Sequence, residues 1–182
     1  TVSGKALDDR IGLFVLLETI ARIAADCPVT VVAVASVQEE VGLRGSGTAA
    51  YGIGADIGIG IDVTQAIDLP GARPHEAVTR LGEGVALKIF DKSMIANYAL
   101  NRHLRDVAGE HGIPVQLEVL PVGGQDGAAF QLARTGMPAT CLSIPTRYLH
   151  TPNERSHKQD VIAAVDLLVR SIPVLGSRPY LA

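Results

Sequence analysis

VTVVAVASVQEEVGLRG, residues 29–45, is the stretch whose reading decides the fold. Its first nine residues, Val29 to Val37, form an apolar, β-branched run that predicts a buried strand. Beyond it stand two adjacent carboxylates, Glu39 and Glu40, and then glycines at Gly42, Gly45 and Gly47. In open α/β sheets, sites form just beyond the carboxyl ends of strands. A glutamate pair placed there can divide the labour, one residue binding a metal and the other moving protons. A solvated turn is the ordinary alternative, so the pair takes its meaning from the rest of the chain.

Outward from this stretch, helix-like and strand-like runs alternate. Asp8 to Ala25 reads as a helix, apolar on most faces and so expected to be buried. Ser46–Tyr51 reads as a short helix and Ile57–Val63 as a second strand, with Gly58 and Gly60 allowing close backbone approach. A polar loop over 64–84 follows, carrying Pro70, Gly71 and Pro74. Val85–Ile89 is a strand, and Ser93 to Glu110 a helix with Ser93 as its N-cap. Val115–Leu120 is a strand, Asp126–Arg134 a helix and Ala139–Ile144 a strand. Ser156–Ile172 is the last helix, with Pro173 helping to end it. The rhythm predicts an α/β fold: a mostly parallel central sheet with helices on both faces.

The length of 182 residues fits a single domain over 1–182, and the 47% apolar content suffices for one core. A net charge of −3 favours neither a nucleic-acid backbone nor an anionic membrane surface. No apolar run reaches the roughly 20 residues that span a bilayer, and no charged-then-apolar leader opens the chain. The two cysteines, Cys27 and Cys141, are far apart and outside any CxxC pattern. That fits a reducing cytoplasm, with both as small buried hydrophobes.

Four acidic or histidine positions fall at element boundaries. Asp8 and Asp9, in ALDDRIG at 6–12, open a helix, where a carboxylate suits the helix dipole. Glu39 and Glu40 follow a strand. Asp62 closes the strand IGIGID, and His150 lies in SIPTRYLHTPNE at 143–154, after the last strand. Each has a bland reading as a cap, turn or surface residue. Together they form a constellation: several carboxylates brought close repel one another, and a raised pKa or a bound metal relieves the repulsion. Carboxylates with histidine suit zinc, cobalt or manganese. The HExxH helix, the P-loop, the GxGxxG turn and the GxSxG elbow are all absent from the sequence.

The order KALDDRIG, VQEEVGLRG, IDVTQA, GGQDGAAF, SIPTRYLHTPNE resembles the TET-type family of cytosolic metallo-aminopeptidases, which includes glutamyl and deblocking aminopeptidases and some members labelled endoglucanases. The resemblance covers nearly the whole chain. It implies a zinc-aminopeptidase-like catalytic domain that hydrolyses amino-terminal residues from peptides, using up to two divalent ions. By the family pattern Asp8 is the bridging ligand, Glu40 and His150 complete one metal site, Asp62 serves the other, and Glu39 is the general base and acid. The family forms homo-oligomers, often large tetrahedral particles.

The chain departs from the family pattern in three ways. The family's further histidine ligand sits in an HxD motif, and none of His75, His103, His111, His150 and His157 lies in one. The inserted dimerisation domain is missing as well, so the resemblance is to the carboxyl-terminal portion of a longer member. Gln125 also stands where the family often has threonine, which bears on a substrate contact. Two other readings compete with the aminopeptidase: a catalytically impaired family member with a structural or regulatory role, and a glycosidase using two of these carboxylates. The chain's lack of tryptophan disfavours sugar stacking.

Overall fold

In the computed structural model, which describes residues 1–180, the β-branched runs pair into one open sheet. The elements in chain order are β1 (Val2–Gly4), α1 (Leu7–Arg22), α2 (Arg44–Ile53), β2 (Gly58–Gln65), β3 (Val85–Phe90), α3 (Tyr98–His111), β4 (Val115–Val119), α4 (Asp126–Gln131), β5 (Ala139–Arg147), β6 (Glu154–Ser156) and α5 (Lys158–Ser171). A 3-10 turn, Ile172–Ser177, follows and contains Pro173. None of the described helices is long and apolar enough to cross a membrane.

The strand order is β1-β6-β5-β3-β4, with β2 also laid along β5. The long ladders, β2 with β5 and β3 with β4, are parallel. Short antiparallel joins link β3 to β5, β5 to β6 and β1 to β6. The expected parallel sheet is therefore present in its long ladders, and the antiparallel joins are additional. β1 and β6 are three residues each, too short to show a period in the sequence.

Alternation along the strands sorts side chains to two faces. Val63, Leu87, Leu142 and Ile144 point to one face, where they pack with Ile11 and Val15 of α1, Leu100 and Leu104 of α3, and Leu167 and Leu168 of α5. Each such Leu contributes about 1.5–3 kcal/mol by leaving water. The opposite face is covered by α4, backed by α2. There Gly58 and Gly60 let the helix come close: a Cβ on Gly58 would meet Phe130 at 2.7 Å, and one on Gly60 would meet the Gly127 nitrogen at 2.9 Å. That face also holds a buried polar group, with Lys88 Nζ 2.5 Å from Glu118 and Thr64 bonded to the same carboxylate.

Three sequence expectations need correction. Residues 29–37 join no ladder among the described residues. Their composition favours a strand, but among the described residues no strand pairs with them. The helix expected from Ser93 begins at Tyr98: Ser93 instead donates to Asp91 (2.6 Å), and Asn97 is the cap, accepting from the Leu100 amide at 2.8 Å. The last helix starts two residues late because Ser156 is spent on β6, and His157 caps it. Replacing Asn97 with Ala should therefore cost about 1 kcal/mol, a few degrees in melting temperature for a domain of this size. A thermal melt unchanged from wild type would place the cap elsewhere.

Candidate metal centre

The loop VQEEVGLRG is held by its own backbone. The amides of Gly42 and Leu43 donate to the Glu39 carbonyl (3.0 and 2.9 Å), Arg44 to Gln38 (3.2 Å) and Gly45 to Val37 (2.9 Å). Two glycines make this possible. Gly42 has φ +111, and a Cβ on Gly45 would sit 2.6 Å from the Val37 backbone. A further tie crosses the fold, where the Ser36 hydroxyl donates to the Asp126 carboxylate at the start of α4.

This loop, the start of α1 and the segment after β5 meet at one place. His150 Nε2 lies 3.0 Å from Asp8 Oδ2 and 3.6 Å from Glu40 Oε1. One ligand atom from each of the three residues lies within 4.8 Å of the others. Glu40 and His150 are exposed, while Asp8 is partly buried. His150 has φ +61, a left-handed conformation uncommon outside glycine. Asp62 lies outside this trio, and Asp9 is the carboxylate that acts on it most. The Asp9 carboxylate in turn accepts from the Gly12 amide at 2.9 Å.

Charge accumulates around these groups. Burial and then Glu40 raise Asp8 to about 6, with His150 opposing. Burial, followed by Glu40, Asp126 and Asp8, raises Glu39 to about 7. Asp9 is raised to about 8, mainly by burial, against the Gly12 amide. Asp62 is raised well above the carboxylate range by burial and then by Asp9. Among the described residues no lysine or arginine forms an ion pair with Asp8, Asp9, Glu39, Glu40 or Asp62. Two carboxylates and an imidazole converging amid uncompensated negative charge are a donor set that fits a divalent cation.

Of the candidates singled out in the sequence, Asp8, Glu40 and His150 come together directly; Glu39 feels the charges of Glu40 and Asp8, and Asp62 that of Asp9. Asp126 and Glu154 were not singled out by sequence reasoning, and Asp9 was noted only as a helix opener beside Asp8. Glu154 is 2% exposed and accepts from the amides of Leu7 (2.7 Å), Asp8 (3.2 Å) and His150 (3.0 Å). Its only sequence signal is its place four residues after His150. Asp9 reads from sequence as a helix opener, and Asp126 as the first residue of a helix. Neither position reveals that it faces the Glu pair.

Residues 1–167 match the family model of M42 glutamyl aminopeptidases. The chain is 41% identical over 172 residues to a candidate aminopeptidase of Acetivibrio thermocellus, covering 94% of this chain and 51% of that protein. It is similar to the solved TET aminopeptidase of a marine-sediment thaumarchaeon, at TM-score 0.89 and 40% identity over 95% of this chain and 49% of that one. It is also similar to the TET1 peptidase of Pyrococcus horikoshii, which can assemble into a tetrahedron or a large octahedral shell, at TM-score 0.78 and 29% identity over 93% of this chain and 49% of that one. The chain spans about half the length of the curated relatives it matches.

Proposed function

Because the chain belongs to the M42 glutamyl aminopeptidase family, we propose that it carries the catalytic half of a metal-dependent aminopeptidase that removes amino-terminal residues from peptides. The convergence of Asp8, Glu40 and His150 beside Glu39 is the observation that supports this reading. Asp8, Glu40 and His150 would hold a divalent ion, zinc, cobalt or manganese, and Asp62 would serve a second. When bound, such an ion supplies a Lewis acid for the scissile carbonyl and lowers the pKa of the attacking water. Glu39, raised to about 7, is matched to take that water's proton near neutral pH and return it to the leaving amine. The amides of Gly42 and Leu43 hold the Glu39 carbonyl, which supports a reading in which Glu40 binds the ion while Glu39 moves protons. Homo-oligomerisation and a cytoplasmic location belong to the same reading.

Aminoacyl-nitroanilides assayed with and without chelator test the activity. Chelator-sensitive release of nitroaniline is the expected result, and release indifferent to chelator would refute it. Metal binding supplies a second test. Calorimetric titration should show one divalent ion bound tightly per chain, because three protein ligands leave room for water. His150→Ala should lose that ion, and Asp62→Asn should keep it. Two tightly held ions on this chain alone would show that the second site draws on another residue.

A further inference from the structure

The polar loop over 66–84 leaves β2 at Gln65, and the His150 turn leaves β5 at Arg147. β2 and β5 are parallel, with Gln65 beside Thr146, so loop and turn set out from one end of the sheet. Asp68 is the junction between them. Its carboxylate accepts from Arg147 Nε at 2.6 Å, from Arg147 Nη2 at 2.9 Å and from the Leu81 amide at 3.0 Å. The Asp68 side chain is 7% exposed and that of Arg147 26%. A forked pair of this kind fixes orientation as well as distance. It also offsets a like-charge contact, because Arg147 stands opposite Arg155 in the β5–β6 ladder. The turn needs such a hold. Tyr148 has φ +60 and His150 φ +61, left-handed backbone that bulky residues keep only where their surroundings impose it. Glu154 imposes it from one side, accepting from the His150 amide at 3.0 Å. Arg147 is the residue just before the first left-handed position, and Asp68 holds its side chain. Among the described residues, the middle of the loop, 69–78, hydrogen-bonds only within itself. Its downstream arm is anchored, by Gln116 at Arg80 and by Asp160 at Gly82 and Gly84.

We propose that Asp68 and Arg147 are positioning residues for His150, and that the 66–84 loop is thereby coupled to the ion-binding centre. Neither residue belongs to the trio of Asp8, Glu40 and His150. Their effect runs through the backbone of 148–150, which carries the imidazole to Asp8 and Glu40 only while the turn keeps its left-handed form. Coupling between two places in a protein is reciprocal. If releasing Asp68 weakens the ion, the bound ion must in turn tighten the bonds that Asp68 makes, including the one to Leu81. The coupling rests on the reading of Asp8, Glu40 and His150 as ion ligands. The hold on the turn itself needs no ion.

Calorimetric titration of the whole chain with zinc tests it. Asp68→Asn keeps the shape and loses the charge, while Arg147→Lys keeps the charge and loses the fork. Each should weaken zinc binding at least about tenfold, the lower end of what losing an outer partner of a metal site costs. Asn97→Ala is the control for stability alone. Asn97 meets the other end of β5, its amide donating to the Ala139 carbonyl at 2.8 Å, so its loss should lower the melting temperature and leave zinc affinity unchanged. Amide exchange gives the reciprocal readout and needs no variant. Zinc should slow exchange about tenfold at Leu81, which Asp68 holds, and leave Gly84, which Asp160 holds, as it was. In chelator, Asp68→Asn should speed exchange at His150 by about the same factor. Zinc bound alike by wild type and both variants, an equal loss in Asn97→Ala, or Leu81 exchange indifferent to zinc would each overturn the proposal. A wild-type chain that binds no zinc would overturn the ion reading and the coupling with it, and His150 exchange in chelator would then decide whether the pair positions the turn.

Discussion

Glu39→Gln is expected to lower aminopeptidase turnover about 10²–10⁴-fold while bound-metal content stays at the wild-type level. The amide keeps the size of the carboxylate but cannot take or return a proton. Glu39 lies outside the trio of Asp8, Glu40 and His150, so its loss removes no donor from that cluster. Its pKa, raised to about 7 by burial, Glu40, Asp126 and Asp8, places its titration where the reaction would run. The wild-type rate should accordingly fall on the acidic side as Glu39 becomes protonated, and that limb should disappear in the variant's residual activity. Metal analysis and steady-state rates on the same preparation check both halves. Near-normal turnover, or loss of the ion, would remove Glu39 from the role of general base.

The second large effect is on stability. In the metal-free chain Asp8, Asp9, Glu39 and Asp62 all have raised pKa values, so the folded form resists their ionisation more than the unfolded form does. Their contribution is complete below the ordinary carboxylate range. It is lost as pH rises through the folded values, which run from about 6 to about 8 where they are defined. Melting temperature should thus fall between pH 5 and 8. The loss should be about 2–3 kcal/mol, or about 5–10 °C, less than the simple sum because the groups titrate together. His103, lowered by burial, works against this only below about pH 6.5. A divalent ion should reverse the trend, because it holds the carboxylates ionised and competes with protons at low pH. Melting curves with chelator and with added zinc across that range check the sign. A flat or rising profile in chelator would mean that these carboxylates do not face one another as described.

Most of the architecture could be read from the long elements. β2, β3, β4 and β5 were legible because each runs at least five residues and is rich in apolar, largely β-branched side chains, β3 and β5 as almost continuously buried runs. β1 and β6 were not, because three residues carry no period. The cap of α3 was missed for a local reason: Ser93 is an equally good cap by type, but Asp91 takes its hydroxyl and amide. At the site, Asp8, Glu39, Glu40, Asp62 and His150 stood out as charged groups at the ends of apolar runs. Their roles as ligands and base are proposals, because the sequence gives positions and not which carboxylate oxygens meet. Asp126 and Glu154 were overlooked, and Asp9 was read only as a helix opener, because each has an ordinary local duty in the sequence; only the tertiary fold aims them at the same place.

Glu154 gives the centre a property that no ligand gives it alone. Asp8 and His150 are 142 residues apart in the chain, yet one buried carboxylate holds the amides of both. Any shift of β6 moves the two donors as a pair and keeps their spacing. Errors elsewhere in the fold therefore displace the centre before they deform it. The fold around β6 can therefore flex while the backbones of Asp8 and His150 stay tied to a single side chain.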